Sequence, residues 1–170
     1  MAGSITEFTS IFQGGARSNR YKITIPRLGN TVEFFAKAAN LPGSTMGKCE
    51  VPYMGRIINV SGDRTFDDWT ITVINDLTFD IRMLALTWMS NLQNTHIANT
   101  GPDAPSAYYE MAIVEQLNRE NQPVANGTIT LYDVFPIAVT EITLGFDQND
   151  QVEEFDITFA YNYWQGGGGF

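Results

Sequence analysis

The stretch that decides the fold is "SGDRTFDDWTITVIND", Ser61 to Asp76, where a polar segment passes directly into an alternating one. The apolar residues Trp69, Ile71 and Val73 alternate with threonines, which is the period of two that a half-buried β-strand shows. We therefore predict a strand over residues 67–76, and other segments of the chain must supply its partners.

Two adjacent carboxylates, Asp67 and Asp68, begin this predicted strand, with Arg64 just upstream. Neighbouring side chains of an extended chain point to opposite faces, so the two carboxylates cannot act together on one substrate atom. Short Asp side chains commonly accept backbone N–H groups where a loop enters regular structure. We interpret the pair as a structural corner, introduced by the turn signal Gly62-Asp63, in preference to an acid pair built for catalysis.

Composition indicates one folded domain that buries surface against other proteins. The chain has 170 residues, of which 44% are hydrophobic and 12% aromatic, enough for a core of its own. Only 17% are charged, and charged residues are depleted where protein interfaces are extensive. The net charge of −9 argues against tight nucleic-acid binding, because an acidic surface repels phosphates.

The lone cysteine and the N-terminal composition bear on the cellular compartment. A single cysteine, Cys49, excludes an internal disulfide framework and fits a reducing environment. The N-terminus lacks a basic start followed by an apolar core, and no apolar run approaches the roughly 18 residues of a membrane span. We expect synthesis in the cytoplasm and no stable membrane association.

Alternating patterns predict further strands on both sides of the opening one. Gly29-Asn30 is expected to join the first two as a hairpin, and residues 147–150 to turn the last two into a long hairpin. A loop is predicted over 39–48, and Pro52 and Gly55 interrupt the strand that follows it, as in an edge or bulged strand. The predicted strands lie at residues 20–26, 31–38, 49–60, 107–117, 128–136, 138–146 and 152–164.

One segment has a helical period and predicts an amphipathic helix over residues 78–93, capped by Asp76 or Thr78. The first apolar stripe of this helix consists of Leu77, Ile81, Leu84, Trp88 and Leu92. A second stripe consists of Met83, Leu86 and Met89, which is more apolar surface than packing on one sheet requires. This helix is therefore either deeply covered in the core or also in contact with a neighbouring subunit.

The ends of the chain differ from its body. Residues 1–19 are rich in Gly and Ser with scattered apolar residues, which predicts an N-terminal arm that packs against something else. Residues 20–164 are predicted to form one β domain, and 165–170 a flexible Gly-rich tail.

No catalytic or cofactor site is predicted. The single histidine, His96, lies in a polar loop without a nucleophile pattern around it, and His96 with Cys49 are too few ligands for zinc. The segment "PGSTMGKC" fails as a phosphate loop, and "DQNDQVEEF" fails as a calcium loop because it has no central glycine. We therefore expect a structural protein that is not an enzyme and needs no metal or cofactor.

A long motif resembles the tail tube proteins of contractile-tailed bacteriophages. Residues 54–69 fit the pattern M-x-R-x-I-N-V-x-G-D-R-T-F-D-D-W, and residues 34–42 fit F-x-x-K-A-x-x-L-P. The final predicted strand ends in Tyr163-Trp164, which also agrees with that family. The similarity covers roughly residues 20–164.

The resemblance implies a protomer with the tail tube fold: a β-sandwich or barrel of two packed antiparallel sheets with one α-helix. Six such protomers would form a ring, and stacked rings would form the hollow inner tube of the virion tail, through which DNA leaves. Implied partners are further copies of the chain, the tail sheath protein, baseplate and tail terminator proteins, and, transiently, the tape measure protein and DNA in the lumen. The alternatives are the inner tube of a related contractile injection or type VI secretion system, or a single-ring baseplate or terminator adaptor.

Three groups of residues follow as candidates under this resemblance. Subunit-interface or strand-corner candidates are Arg64, Asp67, Asp68, Trp69, Met83, Leu86 and Met89. Ring-stacking candidates, taken from the arm and from residues 39–58, are Phe8, Phe12, Met46, Tyr53, Met54 and Arg56. Lumen candidates, on strands assigned to 31–38, 49–60, 107–117 and 125–134, are Glu33, Glu50, Glu110, Thr128 and Thr130.

Overall fold

The computed structural model describes residues 4–12, 15–93, 100–147 and 149–167. Within these ranges it contains mainly antiparallel β-structure, with one long helix and short 3₁₀ turns at Pro26–Leu28 and Pro105–Ala107. The helices are α1 (Ile5–Ile11), α2 (Val32–Phe35) and α3 (Asp80–Leu92). The strands are β1 (Tyr21–Thr24), β2 (Ala36–Ala39), β3 (Thr45–Tyr53), β4 (Arg56–Thr65), β5 (Trp69–Ile74), β6 (Glu110–Leu117), β7 (Pro123–Val139), β8 (Glu154–Ala160) and β9 (Tyr163–Gly166).

The long strand β7 belongs to two sheets. Its first part pairs with β6 and β9, and β6 in turn pairs with β1; this group is the first sheet. Its last part, from Phe135, pairs with β8, which continues to β5 and β2; this group is the second sheet. Between the two parts Asp133 has φ of 59°, and its Oδ2 accepts a hydrogen bond from Asn162 Nδ2 at 2.9 Å. This bend lets one strand turn the corner from sheet to sheet.

The core lies between the two sheets and is completed by α3. Every second side chain of β5 and β8 points inward, as the alternating sequence of these strands predicts. The inward set from these strands and from the helix consists of Trp69, Ile71, Val73, Phe155, Ile157, Phe159, Ile81, Ala85 and Trp88. The predicted mainly β fold of two packed sheets with one principal helix is confirmed.

The predicted helix over 78–93 is confirmed as α3, Asp80–Leu92. Asp76 secures its start: one carboxylate oxygen accepts from the backbone N–H of Asp80 at 3.1 Å, and the other from Thr78 Oγ1 at 2.7 Å. Phe79 between them has φ of 59°, so the chain makes a sharp turn into the helix. Asp76, one of the two predicted caps, therefore supplies a partner for an otherwise unpaired helical N–H.

The predicted hairpin of residues 20–26 with 31–38 is wrong. Strand β1 pairs with β6, about ninety residues later, and residues 32–35 form the short helix α2 with Val32 buried. Only Ala36–Ala39 are extended, and they pair with β5. The turn signal Gly29-Asn30 is real, but long-range partners outcompete the local pairing.

The predicted loop at 39–48 and single broken strand at 49–60 are also wrong. Strands β3 and β4 form one long hairpin that turns at Met54 and Gly55, both with positive φ (47° and 78°), as tight hairpin turns require. Gly62, predicted as a turn, lies inside β4 opposite Gly47. A Cβ on Gly62 would come 3.0 Å from the Gly47 carbonyl carbon, so two glycines are needed for this approach.

The predicted strand at 138–146, and the hairpin it was expected to form with residues 152–164, are wrong. Strand β7 ends at Val139, and the following Leu144 and Phe146 are exposed. The long final strand is divided into β8 and β9 at residues 161–162. Strand β5 begins at Trp69, so Asp67 and Asp68 lie just before it and not within it.

Candidate assembly interface

The β3–β4 hairpin is amphipathic, and the chain that carries it leaves its apolar face uncovered. Cross-strand pairs share a face, so Val51 with Ile58 and Cys49 with Val60 form an apolar face that continues to Tyr53 and Arg56 near the turn. On the opposite face the pairs Lys48 with Ser61 and Glu50 with Asn59 are polar, and only the pair nearest the turn on that face, Pro52 with the exposed Ile57, is apolar. Every residue of β3, and every residue of β4 except Gly62, is exposed.

This exposure distinguishes the hairpin from the body. Val51, Ile58 and Val60 are each about half exposed (48%, 52% and 50%), although they face the same side of a two-stranded ribbon. A two-stranded hairpin alone is marginally stable in water, and contiguous exposed apolar surface marks an interaction site. The hairpin therefore has the properties of a segment that is completed by another molecule.

Arg64 braces the root of the hairpin through aromatic rings. Its guanidinium lies 5.5 Å from the ring centroid of Phe66 and 5.6 Å from that of Trp164, and it donates to Ser44 Oγ at 2.9 Å. Among the residues that the structure describes, Arg64 forms no ion pair with Asp67 or Asp68. The corner is therefore held by cation–π contacts.

Asp67 and Asp68 are exposed at this corner, whereas Trp69 is not. Trp69 has 2% of its surface exposed, and its indole N–H donates to the Asn40 carbonyl at 2.8 Å, so it holds the corner from inside the core. Burial raises the pKa of Tyr161, and the negative charges of Asp67 and Asp68 raise this pKa further. Of Trp69, Tyr161, Asp67 and Asp68, the two aspartates are the residues available for contact with a neighbouring subunit.

Helix α3 presents part of its second apolar stripe to solvent. Met83 and Leu86 are exposed, and Met89 is half-buried. Leu84, which the first stripe predicts to face the core, is also exposed. Sequence reasoning missed Phe34 of α2, a further large apolar side chain that is exposed.

The N-terminal arm contains a helix with an uncovered apolar face. Phe8 and Phe12 stack on each other with ring centroids 5.1 Å apart, and both are exposed together with Ile5 and Ile11. Ser4 and Glu7 form a capping box at the start of α1. The spacing S-x-x-E is the sequence signal from which this helix could have been predicted.

The five lumen candidates do not lie on one surface. Thr128 and Thr130 are on the outward face of the first sheet, opposite the side of the partly buried Ile129 and the buried Leu131, with Thr128 paired to Glu115 and Glu115 paired to Lys22. Glu33 reaches this face through an ion pair with Lys22 at 3.1 Å. Glu115 is an acid on this face that sequence reasoning missed.

The other two glutamates are elsewhere. Glu50 lies on the polar face of the hairpin and pairs with Lys48 at 2.6 Å. Glu110 pairs at 3.3 Å with Arg27, whose guanidinium stacks over Trp88 of α3, so Glu110 belongs to the helix side of the molecule. The assignment of Glu33 to a strand is wrong, because it lies in α2.

The described residues hold no group of three or more side chains that could bind a metal ion. His96 lies outside the described ranges. Among the helices within those ranges, none is long and apolar enough to cross a membrane.

The sequence matches the family model described as phage tail tube protein over residues 8–166. The chain belongs to the phage tail tube protein family. Tail tube protein gp19 of Enterobacteria phage T4 is 37% identical over 163 residues, which cover 95% of this chain and 99% of that protein. Tail tube protein gp19 of Enterobacteria phage T6 is 35% identical over the same length. The family predicted from residues 54–69 is confirmed.

Solved structures share the tail tube fold at low sequence identity. A chain of the anti-feeding prophage cap superposes with a TM-score of 0.65 at 14% identity, covering 90% of this chain and 91% of that one. A chain of the PVC sheath–tube complex, an extracellular contractile injection system, gives 0.62 at 12% identity and covers 97% and 99%. At these identities the likeness establishes the fold.

Proposed function

We propose that this tail tube family member is a structural virion protein whose copies form six-membered rings that stack into the hollow inner tube of a contractile tail. The tube is the conduit for DNA at ejection, and the protein acts by assembly and not by catalysis. The observation that carries this proposal is the amphipathic β3–β4 hairpin, whose apolar face has no cover in the protomer.

Assembly supplies that cover. When a neighbouring copy buries the Val51–Ile58 side of the hairpin, the polar side with Glu50 and Asn59 remains in contact with solvent. The hairpin and the surface that receives it are different patches, so the contact is heterologous and generates rings or filaments and not two-fold dimers. Pairing also protects the open strand edges, which are otherwise an aggregation hazard.

The remaining partners follow from the same tube. We assign the outer surface of the tube to the sheath protein and its two ends to baseplate and terminator proteins, with the tape measure protein and then DNA in the lumen. The chains of similar fold come from a sheath–tube complex, a baseplate and a tube cap, which supports this set of partners. A lumen without cationic patches lets DNA slide because nothing holds its phosphates.

Two variants in strand β4 test the proposal with matched chemistry. Ile58→Asp with Val60→Asp puts two charges on the apolar face, and Asn59→Asp with Ser61→Asp puts two charges on the polar face of the same strand. All four positions are exposed, so both variants should keep the protomer's stability within about 0.5 kcal/mol.

We expect electron microscopy to show tubes for the polar-face variant and none for the apolar-face variant. Only the apolar-face variant places charge on a surface that a neighbouring copy must bury. Tubes of normal length from the Ile58 and Val60 variant would overturn the role of the hairpin.

A further inference from the structure

An open groove of about 660 Å³ lies at one end of the second sheet, where β2 begins and β5 ends. Its floor includes Lys37 and Ile74, and its wall is the segment that follows β7, with Glu141, Thr143, Asp150 and Val152. A volume of this size accommodates several side chains.

Acidic groups dominate the groove. Lys37 is already neutralised, since its Nζ contacts both carboxylate oxygens of Glu154 at 2.6 and 2.8 Å. Glu141 and Asp150 form no ion pair with any residue that the structure describes. The groove therefore presents two uncompensated carboxylates.

Exposed apolar side chains accompany these carboxylates. Val152, which lines the groove, is exposed by 66%, and Leu144, which follows the lining residue Thr143 in sequence, is exposed by 76%. An acidic pocket with an apolar rim suits an occupant that combines a cation with apolar contact surface.

The tip of the β3–β4 hairpin has this composition. Tyr53 and Met54 are exposed by 61% and 87%, and Arg56 stands opposite Tyr53 across the turn. The side chain of Arg56 forms no hydrogen bond or ion pair within the described part of the chain. A guanidinium next to an aromatic ring is a common anchor of protein interfaces.

The tip and the groove belong to opposite ends of the protomer. Strand β5 starts at Trp69, beside the hairpin root, and ends at Ile74, in the groove; β2 runs the other way, from the groove to the root. A hairpin with strands of nine and ten residues is about 30 Å long. A hairpin tip that enters this groove must therefore come from another copy placed head to tail.

We infer that the hairpin tip of one copy docks in the groove of the next copy along the tube, with Arg56 binding Glu141 and Asp150 while Tyr53 and Met54 pack on Val152 and Leu144. The inference rests on the proposed tube and names its ring-to-ring contact. Because the two complementary surfaces are at opposite ends, the contact repeats without closing.

Disulfide trapping tests this contact in the full-length protein. In a Cys49→Ser background, which removes the chain's one cysteine, Met54→Cys is combined with Thr143→Cys in the groove or with Glu120→Cys, an exposed position outside it. In tubes identified by electron microscopy, oxidation should give a ladder of covalent oligomers from the Thr143 pair and none from the Glu120 pair.

Charge reversal gives a second readout that does not depend on introduced cysteines. Arg56→Glu should raise the critical concentration for tube formation about tenfold or more, because it brings an anion to two anions. Adding Glu141→Lys and Asp150→Lys to this variant should restore assembly.

The outcomes separate the contact from the tube itself. Tubes without Met54–Thr143 cross-links, or Arg56→Glu tubes forming at the wild-type concentration, would overturn the docking contact and leave the tube intact. Failure of the wild-type protein to form tubes would overturn the proposed function as well.

Discussion

At the root of the hairpin, some residues stabilise the fold and others are exposed at the surface. Trp69 anchors the corner in the core. The centroids of its ring and of the Phe159 ring are 5.6 Å apart, and its indole N–H donates a hydrogen bond to the Asn40 carbonyl. Asp68, its neighbour in sequence, is exposed and contributes no ion pair within the described residues. Of these adjacent positions, Trp69 therefore stabilises the fold, and we propose that Asp68 serves in assembly.

Replacing Trp69 should destabilise the protomer strongly. We expect Trp69→Ala to lower the free energy of unfolding by about 3–5 kcal/mol, since it opens a cavity between the sheets. Trp69→Phe should cost about 1–3 kcal/mol, because it leaves the Asn40 carbonyl without its donor. Urea denaturation of unassembled protein measures both, with Asp68→Asn as the control expected to stay within about 0.5 kcal/mol. An equal loss from Asp68→Asn would contradict this division of roles.

Cys49 is a native reporter of the apolar face of the hairpin. It is exposed in the protomer and pairs across the strands with Val60. A maleimide should therefore label Cys49 quickly in unassembled protein and slowly in tubes, where a neighbouring copy covers this face. Mass spectrometry of the labelled fraction over time provides the measurement. Equal labelling rates in both forms would mean that the face stays open after assembly.

At the scale of elements, the sequence correctly predicted the helix and the strand whose apolar periods are regular along the chain. Helix α3 was predicted within two residues because its apolar period persists over three turns, and β5 because its alternation is strict. The partner of β1 was missed because a neighbouring hairpin was the simplest pairing, while the structure uses β6. Residues 142–146 alternate as a strand would, but they find no partner and Phe146 stays exposed.

The assembly surfaces were only partly predictable for a similar reason. The motif at 54–69 contains the hairpin turn and the corner, but the turn at Met54-Gly55 was not predicted, because Pro52 and Gly55 resemble an interruption within a single strand. The acidic groove could not be predicted, since Lys37, Ile74 and Asp150 come together only when the sheet order is known. The apolar faces that remain exposed can be identified only when the packing partners of the other strands and helices are known.

The N-terminal helix α1 should lengthen tubes without being needed for rings. Its apolar residues are exposed in the protomer, and no residue of α1 is buried. We expect deletion of residues 1–15 to leave the body folded and rings intact while tubes become shorter, because one of the contacts between rings is lost. Length distributions from electron micrographs would test this. Full-length tubes from the deletion variant would show that the arm is dispensable for stacking.

At the scale of the whole molecule, the candidate contact surfaces of the protomer lie in different places. The hairpin projects from one end, the acidic groove opens at the other, and the outward face of the first sheet carries Thr128 and Thr130 beside Glu115 and the Lys22–Glu33 ion pair. We propose that these three surfaces become the two ends and the inner wall of a ring in the stacked tube.

We propose that the outward face of the first sheet lines the lumen, and positive charge placed there should slow DNA without affecting assembly. Thr128→Lys with Thr130→Lys adds two cations per copy to the outward face of the first sheet, and each lysine is a new phosphate contact for passing DNA. We expect slower ejection from phage that carry this change, measured by the fluorescence of released DNA. The matched control is Thr70→Lys with Thr158→Lys on the outward face of the second sheet, which should eject normally. Slow ejection from the control alone would assign the lumen to the second sheet.

Electron microscopy of the purified full-length protein, across protein concentration and salt, tests the central claim most directly. We expect stacked six-fold rings with an open lumen and with the β3–β4 hairpin of each copy lying against its neighbours. Protein that remains monomeric under all conditions, or that forms filaments without a lumen, would contradict it.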